Sequence, residues 1–395
     1  MRITIVNGFF LPVPPLSGGA TEKSWYQLAQ EFSARGHHVT SISRQWPGMP
    51  ARETRDGVDH LRLPGSDHKR TLWQNLLLDF RWSWRVFFAL PSADIVIVNA
   101  VALPMWLGWL KPRAGKVVLM TGRMPKGQYR GYRAIARVLA PSSFVRDKVH
   151  AENPRLSTVT RVTGYPINWN RLSQPGSTLT PFPINNSLDD ICLGFIGRIH
   201  EEKGLMLLAE AIKRLSATPD LPAWRLLLCG PSDVARGGSG NSFRTQLINL
   251  LSAALPASRF QLLDPQFNDR SLAEVYRQIN IFCYPSLAAQ GETFGVAVAE
   301  AMAAGAVPVV SRLACFTDFV HEGENGLTFD QAAPNAAQQL ADALIRLLRD
   351  SALRQRLATI AQESVRRYDY ARYADALLAD FAQLTTLGKN PSSSL

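Results

Sequence analysis

The stretch Cys192-Leu-Gly-Phe-Ile-Gly197, continued by Arg198-Ile-His-Glu-Glu-Lys203-Gly204 and a helical run from about Leu205, decides how this chain folds. An apolar segment of this length that stops at a glycine reads as a strand buried on both faces. Strand, polar loop and helix make half of a βαβ crossover, and the same rhythm recurs on both sides of the stretch. Downstream, residues 224–228, 260–263, 281–284 and 307–311 are strand candidates, helical stretches lie near 243–255 and 295–304, and further helical segments follow Pro334. Upstream, residues 3–6, 39–43, 58–63, 94–99 and 116–120 read as strands, with a helix at 21–34 that ends near Gly36. Alternating strands and helices predict parallel sheets covered on both faces. A stretch rich in Pro, Ser, Thr and Asn at 173–186 separates two such sheets. The expected architecture is therefore α/β: two doubly wound parallel-sheet domains, residues 1–170 and 187–367, facing across a cleft. A helix at about 368–386 is expected to pack back on the first domain, and residues 388–395 read as a disordered tail.

Composition narrows the function classes. The 395 residues are 46% hydrophobic and 19% charged, which suits buried cores and excludes disorder as the main theme. No apolar run reaches the roughly 18 residues that would read as a membrane span. The chain starts at once with a strand-like pattern instead of a signal-peptide layout. Cys192, Cys229, Cys283 and Cys315 stand far apart in apolar surroundings and read as reduced thiols of a cytoplasmic protein, not as metal ligands. The net charge of +11 is unevenly spread. Residues 1–165 hold 23 Lys and Arg against 10 Asp and Glu, and the remainder holds 20 against 22. The first half should draw anions.

Two constellations in the second half carry chemistry. In Gly291-Glu-Thr-Phe-Gly-Val-Ala-Val-Ala-Glu300-Ala-Met-Ala-Ala-Gly305, seven residues separate Glu292 from Glu300, and small residues suit a tightly packed helix. The amides of Thr293, Phe294 and Gly295 would form a helix N-terminus able to cradle phosphate oxygens. Glu300 suits two ribose hydroxyls, and Glu292 suits the hydroxyls of a sugar. The plainer alternative is two solvated helix glutamates. In the loop after Gly197, Arg198 and Lys203 can neutralise a diphosphate leaving group, or simply cap the loop. Neither GxGxxG nor GxxxxGK[ST] is present.

Together these motifs resemble the retaining nucleotide-sugar glycosyltransferases of the GT-B fold, glycosyltransferase family four (glycosyl transferases group 1). The elements that carry the resemblance are Gly197-Arg198-x4-Lys203-Gly204, Tyr284-Pro285-Ser286, Glu292-x7-Glu300, Ala301-Met-Ala-x-Gly305, Pro308-Val-Val and Asn325-Gly326, with Ser17-Gly18-Gly19 and Ala140-Pro-Ser-Ser143 upstream. The resemblance implies two Rossmann-like domains and no cofactor. Arg198, Lys203 and Glu292 would serve the reaction; the donor would be bound by Gly18, Gly19, Arg198, Lys203, Glu292, Thr293, Phe294, Gly295 and Glu300. It implies a hexosyltransferase that keeps the anomeric configuration, the departing phosphate taking the acceptor proton. The absence of an Asp-x-Asp motif fits a metal-independent enzyme. Family members often carry a histidine in the first domain that reaches the donor sugar. This chain has none between His68 and His150, and Thr121-Gly122-Arg123 stands near that region. Asp264 occupies a place where the family usually has glycine, beside the base pocket.

The first half carries the acceptor question. Trp73, Leu76, Leu77, Phe80, Trp84, Phe87 and Phe88 recur at helical spacing among Lys69, Arg70, Arg81 and Arg85. Either this helix rests in a membrane interface or it packs on the first sheet with its arginines exposed. A basic run from Lys111 to Arg137 adds to the attraction for anionic lipid, so residues 69–88 and 111–137 are candidates for a membrane surface. Arg123, Lys126 and Arg130 are the candidates for holding an anionic acceptor, in a glycine-containing segment, residues 120–132, that reads as a mobile loop. The expected partners are a nucleotide-diphosphate sugar and a glycan, lipid-linked or phosphorylated acceptor. The expected setting is envelope polysaccharide or glycolipid synthesis, in the cytoplasm or peripheral on the cytoplasmic membrane. A GT-B-like nucleotide-sugar epimerase is the alternative within the fold. A basic nucleic-acid-binding protein is the non-enzymatic alternative, and no nucleic acid is expected because no binding module accompanies the charge.

Overall fold

The computed structural model describes residues 1–16, 19–174 and 190–386. Gly18, nearly all of the expected linker and the expected tail lie outside the described residues. Two compact units form: Met1–Pro166 with the chain from Tyr370 onward, and Ile167–Asp369.

Unit 1 runs β1 (Arg2–Val6), α1 (Ala20–Ala34), β2 (His38–Arg44), β3 (Arg52–Arg55), β4 (Val58–Leu63), α2 (Leu72–Ala89), β5 (Ile95–Val98), α3 (Leu107–Leu110), β6 (Lys116–Met120), β7 (Arg137–Ala140), α4 (Ser143–Glu152) and β8 (Thr160–Val162). The sheet order is β3-β4-β2-β1-β5-β6-β7-β8. Every pairing is parallel except that of β3 with β4, an edge the apolar pattern did not mark because Arg-Glu-Thr-Arg is polar throughout. Its central strands are buried along their length, so they read as continuous apolar runs.

Unit 2 contains α5 (Trp169–Ser173), β9 (Ile191–Ile196), α6 (Leu205–Ser216), β10 (Trp224–Cys229), α7 (Gly240–Ala254), β11 (Phe260–Leu263), α8 (Asp269–Arg277), β12 (Ile281–Tyr284), α9 (Val296–Ala303), β13 (Val307–Ser311), β14 (Leu327–Phe329), α10 (Ala336–Arg349) and α11 (Ser351–Ser364). Its all-parallel order is β11-β10-β9-β12-β13-β14. The order reverses between β9 and β12, and at such a switch point the connecting loops diverge and leave a crevice at the strands' carboxyl ends.

The last helix, α12 (Tyr370–Thr386), belongs to unit 1. Arg137 donates two hydrogen bonds to Asp380, at 2.8 and 2.7 Å, and Phe32 meets Phe381 edge-on.

Two expectations for unit 1 need correction. The helix expected around residue 80 does pack on the sheet, but of the stripe singled out from the sequence Phe87 alone packs against the core. Its inward residues are Asp79, Trp82, Ser83 and Val86, and the Trp82 indole donates to the Asn7 carbonyl at 3.1 Å. Leu72, Trp73, Leu76, Leu77, Phe80 and Phe88 point outward and are exposed. The helix has two apolar faces, and periodicity alone does not say which one the core takes. The segment 120–132 is also not a free loop. The Glu152 carboxylate accepts the Gly127 and Tyr129 amides, at 2.6 and 3.1 Å. The Tyr129 hydroxyl donates to Thr121, and Asn153 donates to the carbonyls of Tyr129 and Tyr132. Among the described residues no helix is long and apolar enough to cross a membrane.

Candidate active site

The carboxyl ends of β9 and β12 bring together residues far apart in the chain. β9 ends at Ile196, and a short loop carries Arg198 and Lys203 before α6 begins. Gly204 caps α6 in the left-handed region (φ 68°), and a Cβ there would stand 1.9 Å from the Pro285 carbonyl oxygen. The Lys203 loop is thereby pressed against the chain leaving β12, an approach only glycine permits. On the other side, Gly295 caps α9 with φ 89°, and its Cβ would meet Phe316 at 2.4 Å. The small residues of α9 follow from packing, since Ala299, Ala301, Met302 and Ala303 are all fully buried.

Lys203 Nζ donates to Glu292 Oε2 at 2.7 Å and to the Tyr284 hydroxyl at 3.0 Å. Tyr284 and Ser286 also direct their hydroxyls at Glu292 Oε2, at 3.2 and 3.4 Å. The Lys203 and Glu292 side chains are only 9% and 12% exposed, so each charge depends on the other. Burial, reinforced by the Glu292 carboxylate, pushes the Tyr284 phenol well above its ordinary range, so it stays protonated and donates. Arg198 is more exposed; it donates to the Gly237 carbonyl at 2.8 Å and pairs with Glu202. The two cations expected on a diphosphate are thus each paired with a glutamate in this structure.

Glu300 Oε2 accepts the hydroxyl of Tyr276 at 2.8 Å. Tyr276 is buried on α8, and burial together with Glu300 holds its phenol protonated. The sequence reading did not assign either tyrosine a role. The available signal was a phenol inside a buried apolar run, Ile281-Phe-Cys-Tyr284, where the hydroxyl must find a partner. The amides of residues 293–297 donate to no protein group among the described residues, so α9 begins with open donors. A cavity of about 310 Å³ lies past the ends of β10 and β11, lined by Gly230, Ser232, Arg236, Arg244, Leu263 and Asp264.

The other candidate residues stand in unit 1. Gly19 is the cap of α1 (φ 97°), and a Cβ there would lie 2.5 Å from Glu22 Oε2. Burial raises the Glu22 carboxyl pKa, while its own backbone amide and then the Arg123 charge counter the rise. Arg123, Lys126 and Arg130 are all exposed. All four cysteines are buried and free. Among the described residues no group of three or more His, Cys, Asp or Glu is arranged to hold a metal ion.

Comparison with known proteins identifies the family. The family described as Glycosyltransferase Family 4 matches residues 18–160, and Glycosyl transferases group 1 matches residues 178–364. The phosphatidyl-myo-inositol mannosyltransferase of Mycobacterium leprae (strain TN) is 32% identical over 98% of this chain and 98% of its own. Among solved structures, sucrose-phosphate synthase from Thermosynechococcus elongatus superposes with a TM-score of 0.74 at 21% identity, covering 98% of this chain and 99% of that one. Anabaena HepE in complex with UDP and glucose gives 0.69 at 14% identity, covering 97% and 100%. With both halves matched in chain order and one relative aligned nearly end to end, this chain belongs to the group 1, family 4 glycosyltransferases of the GT-B fold.

Proposed function

We propose that this glycosyltransferase moves a hexose from a nucleotide-diphosphate sugar held in unit 2 to a glycolipid, glycan or sugar-phosphate acceptor, with retention and without a metal ion. The observation that carries the reading is the convergence of Lys203, Glu292, Tyr284 and the open amides of residues 293–297 at the switch point between β9 and β12. In this reading Arg198, Lys203 and the amides of Thr293, Phe294 and Gly295 hold the diphosphate. An ammonium has three donors; Glu292 and Tyr284 take two from Lys203, and the third serves a phosphate oxygen. Glu292 meets a donor-sugar hydroxyl through Oε1, since its contacts above gather on Oε2. Glu300, oriented by Tyr276, accepts ribose hydroxyls, and the base occupies the neighbouring cavity.

The bond from the anomeric carbon to the diphosphate oxygen breaks while the acceptor oxygen bonds to that carbon on the same face. The acceptor proton passes to the departing phosphate oxygen. Negative charge grows on the diphosphate as the bond breaks, where Arg198, Lys203 and the amides stabilise it in place of a metal ion. No carboxylate nucleophile is needed, in contrast to retaining glycosidases. The relative named for phosphatidyl-myo-inositol supports an acceptor bearing phosphate, and Arg123, Lys126 and Arg130 are the residues assigned to that charge. A nucleotide-sugar donor and four free cysteines suit a cytoplasmic protein of envelope polysaccharide or glycolipid synthesis.

The test is thermal stability against UDP, GDP, ADP and their sugar conjugates in EDTA. A ligand at about a hundred times its Kd adds about 2.7 kcal/mol. One selective stabiliser, lost in Glu300→Ala, is expected, with product of unchanged anomeric configuration by NMR. No shift from any nucleotide would sink the donor-site reading. Conversion of the donor to its epimer with no acceptor present would favour an epimerase.

A further inference from the structure

The cavity past β10 and β11 is lined by two opposite charges that do not pair with each other. Asp264 and Arg244 both border it. The Asp264 carbonyl accepts the Cys229 thiol and the Gln266 side-chain amide, at 3.4 and 3.0 Å, but its carboxylate accepts no hydrogen bond among the described residues. The half-buried Arg244 guanidinium likewise donates to no protein group among the described residues. The other arginine at the cavity is engaged. Arg236 Nε lies 3.8 Å from Asp233 Oδ2, and its guanidinium stands 5.3 Å over the Phe267 ring. The cavity also adjoins the loop of Arg198. A Cβ at Gly230 would stand 1.9 Å from the Gly197 carbonyl oxygen, and Arg198 donates to the Gly237 carbonyl next to Arg236.

A carboxylate only accepts hydrogen bonds and a guanidinium only donates them. One of each around a single cavity selects a ligand that turns donors toward the first and acceptors toward the second. Guanine does so with adjacent groups. Its N1–H and N2 amino group are neighbouring donors, and its O6 and N7 are neighbouring acceptors that an arginine reads bidentately. Uracil sets its one N–H between two carbonyl oxygens, which a carboxylate repels. Adenine and cytosine each set an acceptor nitrogen beside the amino group, so neither offers a carboxylate two donors.

We infer that the donor is a sugar linked to guanosine diphosphate, with Asp264 accepting the guanine N1–H and N2 amino group and Arg244 donating to O6 and N7. The inference rests on the donor-site reading proposed above and adds the base to it. Both residues select the base and take no part in bond cleavage.

The experiment is isothermal titration calorimetry of the full chain in EDTA with GDP, UDP, ADP and the diphosphates of inosine and xanthosine. Wild type is expected to bind GDP most tightly, and inosine diphosphate, which lacks the N2 amino group, about tenfold more weakly. Asp264→Asn exchanges one acceptor for a donor. It should weaken GDP about tenfold and strengthen xanthosine diphosphate, whose C2 carbonyl accepts. Arg244→Ala should weaken GDP and inosine diphosphate by the same factor, since both carry O6 and N7. Neither side chain holds a protein group, so melting temperatures without nucleotide should stay at the wild-type value. A wild-type preference for UDP or ADP overturns the inference and leaves the donor-site reading standing. So does an Asp264→Asn protein that ranks the diphosphates as wild type does. Wild type that binds no nucleoside diphosphate sinks the donor-site reading, and the inference falls with it.

Discussion

Lys203 Nζ lies 2.7 Å from Glu292 Oε2 although 89 positions separate the two residues. One follows β9 and the other follows β12, the two strands between which the sheet order reverses. The pair is therefore a product of topology, and its burial makes it a joint between the two loops as well as part of the proposed donor site. Replacing Glu292 by Gln leaves the Lys203 ammonium buried without its counter-charge. A loss of about 3 kcal/mol in unfolding free energy is expected. Lys203→Met combined with Glu292→Gln should cost less than the two single changes summed. Urea denaturation of the four proteins gives the coupling, and additive single effects would show that the pair contributes nothing to the joint.

Glu300 is oriented by Tyr276, which supplies a hydroxyl to Oε2 at 2.8 Å. Tyr276→Phe removes the donor and keeps the packed ring. The carboxylate then loses one of the contacts that direct it, and a donor KM raised about tenfold with a smaller change in kcat is expected, since a hydrogen bond to a charged group is worth about 1.5–3 kcal/mol. Glu300→Ala should abolish saturable donor binding. A Tyr276→Phe enzyme with wild-type KM would show that Glu300 is held by other contacts.

The sequence carried the sheets well because their central strands are buried on both faces and read as short unbroken apolar runs. It carried β3 badly, since Arg52–Arg55 is an exposed edge paired only with β4. At α2 the pattern was visible but ambiguous: two apolar faces share one helix, and only the tertiary structure shows that Trp82 and Val86 take the core. In the candidate site the charged residues were legible by type and spacing. Their pairing was not, because Tyr284 and Tyr276 reach Glu292 and Glu300 from other elements, and that depends on how the strands are ordered.

His60 on β4 is buried with neither ring nitrogen hydrogen-bonded. Burial, and then the Arg62 charge, pull its pKa from 6.5 down to about 4. Between those values the unfolded imidazole takes up a proton that the folded one refuses. Stability from this group is therefore complete above pH 6.5 and is lost as pH falls toward about 4. His60→Phe should flatten that part of the stability profile and leave its slope above pH 6.5 unchanged. Denaturation midpoints across the range decide it, and an equally steep acid slope in the variant would assign the loss to other groups.

The helix α12 closes unit 1 with a chain segment that follows all of unit 2. Its attachment joins an apolar contact, Phe32 with Phe381, to the bidentate pair of Arg137 and Asp380. Arg137 lies on β7 with its side chain 7% exposed, so removing Asp380 strands a guanidinium inside the unit. Asp380→Ala should cost about 3 kcal/mol, whereas Arg137→Leu with Asp380→Leu, which buries no charge, should cost less or nothing. An exposed pair such as Arg35 with Asp375, where the aspartate is 65% exposed, should contribute at most about 1 kcal/mol. Limited proteolysis adds a local reading, because weakening this attachment should open the chain near Tyr370 before either sheet is cut. Equal stability losses for Asp380→Ala and Asp375→Ala would mean that burial of Arg137 is not what makes its pairing matter.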